Sequence, residues 1–365
     1  MEKYKKWMQH ALDISRRAIG FTAPNPMVGA VILDEQDNFL AEGWHEKVGE
    51  AHAEINALRN AGSLAKGGTI IVTLEPCSHF GKTPPCTQAI IKAGITKVII
   101  ATLDPNPLVA GQGVKQLQAA GISVEIGLLE KKAQRLNEVF FKWITKKQPF
   151  VAAKFAMTLD GKIATGIGDS KWISCPLSRE YAHVLRTTYA AILVGGNTIR
   201  IDNPELTCRL VAGRNPVRII LTNSFNLPLD SKVFLADGVP TIIITTSGNE
   251  NYEEFKGIPN IEVVELPSSD GKVILTELMD FLAQRDLTSV LVEGGSEIHA
   301  GFLQAGLVDK VYAIIAPKII GGSTAKSPVG DLGIDYMSAA LQLEDLTVEK
   351  LQQDVLITGY LKRGE

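Results

Sequence analysis

The chain has 365 residues, 45% of them hydrophobic and 21% charged, which is the composition of an ordinary globular protein. This length predicts two domains rather than a single core. A net charge of −3 argues against a nucleic-acid-coating surface, and no apolar run is long enough to span a membrane. The four cysteines are too few for a disulfide scaffold, and the amphipathic N-terminal segment lacks the features of an export signal. We therefore expect a cytoplasmic protein.

Strands alternate with helices along the first part of the chain, which predicts an α/β sheet between layers of helices. The predicted strands are 27–33, 69–74, 97–101 and 122–127. The predicted helices are the N-terminal segment, 52–61, 84–94, 113–121 and 130–144. The polar stretch 145–150 ends this pattern, so we place one domain at 1–146 and a second at 147–365.

The alternation restarts in the second domain. Its predicted strands are 150–157, 191–195, 217–222, 241–246, 310–317 and 354–361, and 289–295 is predicted as a strand that runs into a glycine turn. Its predicted helices are 178–190, 276–286 and 299–306. The loops 245–251 and 321–328 are rich in small polar residues, which favours mobile or ligand-facing segments.

Four residues of the first domain suggest a catalytic metal site. His52, Cys77 and Cys86 supply the three protein ligands of a catalytic zinc, which leaves one position for water. Glu54 is placed to move a proton between that water and a leaving nitrogen. All three ligands are predicted at helix starts or in loops at one edge of the sheet, where α/β folds keep their sites.

Two alternatives remain open for these residues. His52 could cap its helix while the cysteines act as small buried hydrophobic side chains. A structural zinc site would need a fourth ligand, and His79 is the nearby candidate.

The second domain carries weaker signals of a phosphate-bearing ligand. No G-x-G-x-x-G motif is present, but "VLVEGGSEIHAGF" predicts a strand, a double glycine and a helix whose amides could approach a phosphate. An isolated Gly-Gly is also typical of a plain tight turn. Arg186 and Arg209 could each bind a phosphate through two guanidinium nitrogens, or they could simply be solvated. Trp172 could stack on a ring or belong to the core.

The motifs of the first domain resemble a known superfamily. H-A-E, followed by P-C and a second cysteine, resembles the zinc-dependent cytidine deaminase superfamily. That superfamily usually has two residues between its cysteines, whereas eight lie between Cys77 and Cys86. This spacing, with "TAPNPMVGAV", "GWHEKVGEAHAE" and "EPCSHFGKTPPC", is similar to the deaminase half of the bifunctional riboflavin-biosynthesis family of bacteria. Asn56 departs from the family's usual residue, at a position that is not a zinc ligand there.

The second domain resembles the reductase half of the same family, which is similar in fold to dihydrofolate reductase. The matching stretches are "KFAMTLDGKIAT", "GDSKWIS", "AAILVGGNTIRIDNPELTCR" and "VEGGSEIHAGFLQAGLVDK". The match is weak over about 225–285 and 318–350. The resemblance implies a cytidine-deaminase-like three-layer α/β/α domain, followed by a dihydrofolate-reductase-like α/β domain.

The resemblance also implies roles for individual residues. In the first domain it makes His52, Cys77 and Cys86 zinc ligands, Glu54 the proton shuttle, and Asn25, His45, His79 and Lys82 substrate contacts. In the second domain the implied NADPH contacts are Ala156, Trp172, Thr198, Asp202, Ser224, Gly295, Ser296, Glu297, Ile298, His299, Ala300 and Gly301. The implied substrate contacts are Ser170, Arg186, Leu206, Arg209 and Glu293, with Lys154 as a nearby catalytic contributor.

The implied reaction has two steps. Hydrolytic deamination of 2,5-diamino-6-ribosylamino-4(3H)-pyrimidinone 5′-phosphate precedes NADPH reduction of its ribosyl side chain. The implied partners are this phosphorylated pyrimidine and further copies of the chain in a dimer or tetramer, with no nucleic acid and no membrane. Two rivals are a nucleoside or tRNA deaminase with an accessory domain, and a non-enzymatic scaffold. The acidic charge argues against the first, and the intact zinc set argues against the second.

Overall fold

The chain divides into two compact units, Met1–Lys147 and Gln148–Glu365. This boundary lies one residue after the one predicted from the sequence. The structure is a computed structural model that describes residues 1–80, 84–106, 110–235, 237–248 and 252–362. None of the helices within these ranges is both long enough and apolar enough to cross a membrane.

The first unit is built on a five-stranded sheet. Its strands are β1 (Gly29–Leu33), β2 (Phe39–Trp44), β3 (Thr69–Val72), β4 (Lys97–Ile100) and β5 (Ser123–Ile126). They lie in the order β2-β1-β3-β4-β5. β1 is antiparallel to both its neighbours, while β3, β4 and β5 run parallel. β1 and β3 are buried at every residue, as expected for strands covered on both faces.

Helices cover both faces of this sheet. They are α1 (Lys5–Ser15), α2 (Ala53–Ala61), α3 (Cys86–Lys92), α4 (Gln112–Ala119), α5 (Glu130–Leu136) and α6 (Glu138–Lys146). Residues of α1 and α5, such as Leu12 and Ala133, pack in one core cluster. Residues of α2, α3 and α4, such as Ala57, Ile90 and Leu117, pack in another. The predicted three-layer α/β/α arrangement is confirmed.

The single helix predicted at 130–144 is wrong in one respect, because Asn137 divides it into α5 and α6. Asn137 has non-helical backbone angles, with φ −112° and ψ 26°. Its buried side chain accepts a hydrogen bond from the Met27 amide (2.8 Å) and donates one to the Met27 carbonyl (2.9 Å). A tertiary contact far away in sequence therefore overrides the local helical pattern.

The described residues of the second unit form a nine-stranded sheet and a small hairpin of two strands, each two residues long. The strands are β6 (Phe150–Thr158), β7 (Ala191–Gly195), β8 (Val217–Leu221), β9 (Thr241–Thr246), β10 (Ile261–Leu266), β11 (Ser268–Ser269), β12 (Lys272–Val273), β13 (Ser289–Val292), β14 (Lys310–Ala316), β15 (Leu343–Leu351) and β16 (Asp354–Leu361). The large sheet has the order β10-β9-β8-β7-β13-β6-β14-β16-β15. Its strands run parallel from β10 to β14, and β16 and β15 add antiparallel pairs at the edge.

Helices also pack on the second sheet, so the predicted α/β class is confirmed for this unit. They are α7 (Pro176–Thr188), α8 (Gly196–Asp202), α9 (Leu275–Gln284) and α10 (Ser296–Gln304). α9 and α10 contribute Leu278 and Phe302 to one core cluster. α8 contributes Ile199 to a second cluster that contains other strand residues. The elements that were not predicted from the sequence are β2, α8, β10, β11, β12 and β15.

Candidate active sites

Several segments of the first unit meet at one edge of its sheet. β3 and β4 are parallel, so both end at this edge. β1 is antiparallel to β3 and begins there, and Trp44 at the end of β2 pairs with Gly29 at the start of β1. The residues that flank these strand ends, including Asn25, His45 and Cys77, are therefore brought to the same side of the unit.

Three metal-binding side chains converge at this edge. His52 is the extended residue before α2, Cys77 follows β3, and Cys86 is the first residue of α3. The His52 Nδ1 atom lies 3.6 Å from the Cys77 sulfur and 3.3 Å from the Cys86 sulfur. All three donor atoms are within 4.8 Å of one another.

This donor geometry fits a zinc ion. Zinc–sulfur and zinc–nitrogen bonds in a tetrahedral site place the two donor atoms about 3.6 Å apart. The measured nitrogen–sulfur separations are close to that value. Two cysteines and one histidine supply three protein ligands, as in a catalytic rather than a structural zinc site.

The pKa values of the two thiols are shifted in opposite directions. A hydrogen bond from Cys86, assisted by one with His52, lowers the pKa of Cys77 to about 4. The same pairing with Cys77, together with burial, raises the pKa of Cys86. Contact with Cys77 raises the pKa of His52. Because metal ligands must be deprotonated, the lowered pKa of Cys77 favours metal binding, whereas the raised pKa values of Cys86 and His52 oppose it.

Glu54 is a buried carboxyl in the first turn of α2, two residues after His52. Burial raises its pKa to about 7, and the neighbouring Cys77 adds to the rise while His52 opposes it. A carboxyl that titrates near neutrality can both accept and release a proton during a reaction.

The predicted substrate contacts of this unit are only partly brought together. The Asn25 amide nitrogen lies 3.4 Å from His45 Nε2, and the ring of His45 meets that of His52 edge-on at 5.4 Å. Burial lowers the pKa of His45. His79 is exposed and is not among the clustered metal donors of the described residues, so a four-ligand structural site receives no support. Lys82 lies outside the described residues.

Asp104 was missed by the sequence analysis. It follows β4, and its pKa is raised by burial and by the charges of Glu75 and Cys77, while His79 lowers it. The available signal was an acid placed just after a buried strand that runs parallel to the strand before Cys77.

In the second unit, a cavity of about 810 Å³ lies beside the ends of β7, β8 and β13. Nine of the twelve predicted cofactor contacts line it. They are Thr198, Asp202, Ser224, Gly295, Ser296, Glu297, Ile298, Ala300 and Gly301. The cavity thus joins the turn before α10 to α8 and to the turn after β8.

The other three predicted cofactor contacts are not among the residues that line this cavity. Ala156 lies in β6, next to Ile314 of β14. The Trp172 side chain is 60% exposed, and the Arg179 guanidinium lies 4.6 Å from its ring centre. His299 is buried, and its ring nitrogens lie 3.1 Å from the Val292 carbonyl and 2.9 Å from the Pro328 carbonyl. Backbone groups therefore occupy both polar atoms of His299.

A largely buried charged cluster contains three of the predicted reductase residues. Arg186 donates from Nε and Nη2 to the two oxygens of Glu293, at 2.9 and 3.0 Å, and Lys154 lies 3.8 Å from the same carboxylate. Burial would raise the pKa of Glu293, but Arg186 and Lys154 together lower it to about 2. Burial lowers the pKa of Lys154. The guanidinium of Arg186 therefore makes its paired hydrogen bonds with Glu293. The sequence had suggested that these donors could bind a phosphate.

The remaining predicted substrate contacts are dispersed. Ser170 lines the cavity and donates to Asp202 at 3.3 Å. Leu206 is buried. Arg209 is about half exposed and lies 3.5 Å from Glu205.

Several residues that line the cavity were not predicted. They are polar residues after β7 and β8 and residues of the 321–328 loop, namely Asn197, Thr222, Asn223, Thr324 and Lys326. The 321–328 loop was expected to be mobile or ligand-facing, and its residues Thr324 and Lys326 line the cavity. The available signal for the others was their position directly after buried strands.

Comparison with protein families defines the class of this protein. Residues 1–102 match the family described as the cytidine and deoxycytidylate deaminase zinc-binding region. Residues 149–357 match the RibD C-terminal domain. The chain is thus a two-domain protein that joins a zinc-binding deaminase region to a RibD-type reductase domain.

Close relatives match nearly the whole chain. It is 45% identical over 354 residues to the riboflavin biosynthesis protein RibD of Aquifex aeolicus, covering 97% of both chains. A solved RibD from Acinetobacter baumannii has a TM-score of 0.85 at 34% identity, with 99% of each chain covered. A Thermotoga maritima structure described as a diaminohydroxyphosphoribosylaminopyrimidine deaminase/5-amino-6-(5-phosphoribosylamino)uracil reductase has a TM-score of 0.85 at 39% identity, covering 98% of this chain and 99% of that one. The chain belongs to the RibD family of bifunctional riboflavin-biosynthesis enzymes.

Proposed function

We propose that this chain catalyses two consecutive reactions of riboflavin biosynthesis. The first unit hydrolytically deaminates 2,5-diamino-6-ribosylamino-4(3H)-pyrimidinone 5′-phosphate. The second unit reduces the ribosyl side chain of the product with NADPH and gives 5-amino-6-ribitylamino-2,4(1H,3H)-pyrimidinedione 5′-phosphate. The observation that carries the proposal is the convergence of His52, Cys77 and Cys86 beside buried Glu54.

In the first unit, His52, Cys77 and Cys86 would hold the zinc ion and leave a fourth position open. Zinc, when bound, acts as a Lewis acid and lowers the pKa of a coordinated water. Glu54 accepts a proton from the attacking water and delivers it to the amine that leaves C2 of the ring. Its pKa of about 7 suits both roles. Asn25, His45, His79 and Lys82 would bind and orient the substrate.

The deaminase proposal is tested by Glu54→Gln, which keeps the side-chain volume but cannot accept or release the proton. We expect ammonia release to fall by about 10²–10⁴-fold, the usual contribution of a general acid–base group. Zinc content should stay at one equivalent, because Glu54 is not a proposed ligand. Full ammonia release by this variant would rule out the mechanism.

In the second unit, the cavity would hold NADPH. Its volume of about 810 Å³ is within the range of cofactor pockets. Gly295 and Ser296 at the start of α10 line it, and backbone amides at a helix start favour a phosphate group. The dinucleotide would also contact Thr198, Asp202 and Ser224, which line the cavity. Ala156, Trp172 and His299, which are not among its lining residues, remain proposed contacts on the family resemblance alone.

The reduction would take place near the charged cluster. The nicotinamide cofactor supplies the hydride for C1′, while Ser170, Arg186, Leu206, Arg209 and Glu293 would bind the substrate. Burial lowers the pKa of Lys154, which makes this ammonium a better proton donor to the reduced intermediate.

The cofactor proposal is tested by titrating NADPH fluorescence with the wild-type chain, Ser296→Asp and Ser296→Ala. An aspartate in the first turn of α10 is compatible with the helix but repels a phosphate. We expect Ser296→Asp to weaken NADPH binding much more than Ser296→Ala, with ammonia release unchanged in both. Equal NADPH affinity in the three chains would contradict this site.

We also propose that the chain forms a homo-oligomer and works in the cytoplasm. β15 is an edge strand whose residues 344–350 are exposed, and Leu346 and Val348 are 58% and 68% exposed. Such an edge is suited to pairing with a second copy. Light scattering should therefore give a dimer or tetramer mass, and a monomer would contradict the proposal.

The proposed location in the cytoplasm suits the cysteines of the chain. All four have free thiols, which a reducing compartment would preserve.

A further inference from the structure

The two cysteines of the proposed zinc site are far apart in sequence. Eight residues lie between Cys77 and Cys86, so they do not share a helical turn that would fix their separation. Cys77 belongs to the loop after β3, and Cys86 begins α3. Another element must therefore fix the distance between the two cysteine segments. The contacts described below indicate that this element is α4.

Glu75, two residues before Cys77, connects the Cys77 segment to the start of α4 by hydrogen bonds. Its buried carboxylate accepts from the amides of Gly113 (2.9 Å) and Val114 (3.2 Å) through Oε1. Its second oxygen accepts from the amides of Gly111 (2.9 Å) and Asp104 (3.2 Å). Three of these donors belong to the N-terminal end of α4, where backbone amides lack partners within the helix.

The backbone between Glu75 and Cys77 is also pressed directly against α4. A Cβ atom on Gly113 would lie 2.2 Å from the Pro76 carbonyl oxygen and 3.1 Å from Glu75 Oε1. A side chain at position 113 would therefore push this segment away from the helix. The close approach fixes the backbone immediately before Cys77.

Gln116, one turn further along α4, contacts both cysteine segments. Its Nε2 donates to the Ser78 carbonyl at 3.2 Å, and its Oε1 accepts from the Thr87 hydroxyl at 2.8 Å. Ser78 directly follows Cys77, and Thr87 directly follows Cys86. The Thr87 amide in turn donates to the Cys77 carbonyl at 3.2 Å. One side-chain amide thus bridges the residues that follow the two thiols.

We propose that Glu75 and Gln116 are positioning residues that hold Cys77 and Cys86 at the zinc-binding separation through α4. This inference deepens the proposed function and rests on the zinc site proposed above. Neither residue belongs to the cluster of metal donors. Their effect on the metal is therefore exerted through the backbone of the two cysteine segments, in the way that outer groups orient metal ligands.

The decisive variant is Gln116→Met, which keeps the length of the side chain and removes both hydrogen bonds. Its matched control is Gln118→Met on the same helix, because Gln118 is exposed and makes no side-chain hydrogen bond with the described residues. We would measure the zinc dissociation constant by competition with a chelator, and the thiolate-to-metal absorption band of the cobalt-substituted chains. The full-length protein is used throughout.

We expect Gln116→Met to raise the zinc dissociation constant by about tenfold, and Glu75→Gln to raise it by up to about 100-fold, the range for residues that orient metal ligands. The cobalt band should shift or weaken in Gln116→Met and stay unchanged in Gln118→Met. If Glu75→Gln fails to fold, the comparison of Gln116→Met with Gln118→Met still tests the proposal, because both positions are exposed.

The outcomes separate the two proposals. If Gln116→Met has the zinc dissociation constant and cobalt spectrum of the wild type, the positioning role is overturned. If the wild-type chain itself binds no zinc, the proposed deaminase site is overturned, and this inference with it. Thermal unfolding of each variant checks that a loss of metal does not reflect a loss of fold.

Discussion

Glu54 is buried and the Glu293 side chain is largely buried, yet their pKa values are shifted in opposite directions. Burial raises the pKa of Glu54 to about 7, since the one histidine beside it does not offset the loss of solvent. Glu293 is also penalised by burial, but two cations face it and lower its pKa to about 2. The first carboxyl can exchange a proton near neutral pH, whereas the second stays charged. The two carboxyls are therefore suited to different roles.

Sequence reasoning reached the donor atoms of the first site but not these differences in charge. His52, Glu54, Cys77 and Cys86 carry a recognisable motif, and the ligand types alone indicate zinc. The pairing of Arg186 with Glu293 joins residues 107 positions apart in sequence. No local pattern specifies such a contact, because it depends on how α7 packs beside the end of β13.

A pH prediction follows from His183 of α7. Burial, with repulsion from Arg186 and Arg209, lowers the pKa of His183 to about 4, below the value of about 6.5 for an exposed histidine. On acidification the unfolded chain takes up this proton before the folded chain does. The stabilisation is complete above about pH 6.5 and is lost as the pH falls towards about 4.

The test is urea unfolding of the wild-type chain and His183→Gln between about pH 7 and about pH 4.5. We expect the free energy of unfolding to fall with pH less steeply in the variant, because one proton-linked group has been removed. Identical slopes for the two chains would show that His183 does not titrate as described.

At the scale of elements, strands that are buried throughout were the easiest to predict. β1, β3 and β7 are buried at every residue and consist almost entirely of apolar residues, and each lies within its predicted range. β15 was missed because it is an exposed edge strand whose charged residues interrupt the alternation of apolar and polar residues. Its place in the sheet comes from pairing with β16 rather than from burial.

The break between α5 and α6 gives a prediction for stability. Asn137 satisfies both backbone groups of Met27 from a buried position. We expect Asn137→Ala to lower the free energy of unfolding by about 1–3 kcal/mol, because it leaves the partly buried amide and carbonyl of Met27 without their partner. Asn137→Asp should also destabilise the protein, since a carboxylate can accept from the Met27 amide but cannot donate to its carbonyl. Thermal unfolding of these variants measures both effects, and a wild-type midpoint in Asn137→Ala would contradict this role.

At the scale of the whole molecule, each unit carries its candidate site at the ends of its own parallel strands. The metal donors all belong to Met1–Lys147, and the residues that line the large cavity all belong to Gln148–Glu365. The alternation of strands and helices was enough to predict two α/β units. The contribution of the 321–328 loop to the cavity wall could be anticipated only from its composition, because sequence does not reveal which strand ends it faces.

This separation predicts that the two reactions can be uncoupled. In Cys77→Ala we expect loss of zinc and of ammonia release. NADPH oxidation should be retained when the deaminated intermediate is supplied, because no residue proposed for reduction lies in the first unit. Parallel assays of the two reactions on the purified variant provide the measurement. Loss of both activities in a folded variant would mean that the units do not function independently.

The central claim is that one chain performs both reactions in a fixed order. The most direct measurement gives the diaminopyrimidine phosphate to the purified protein of known zinc content, and follows ammonia release with and without NADPH and NADPH oxidation in parallel. We expect ammonia without NADPH, and NADPH consumption only after deamination. Ammonia release without any NADPH oxidation, or no ammonia from protein with a full equivalent of zinc, would contradict the claim.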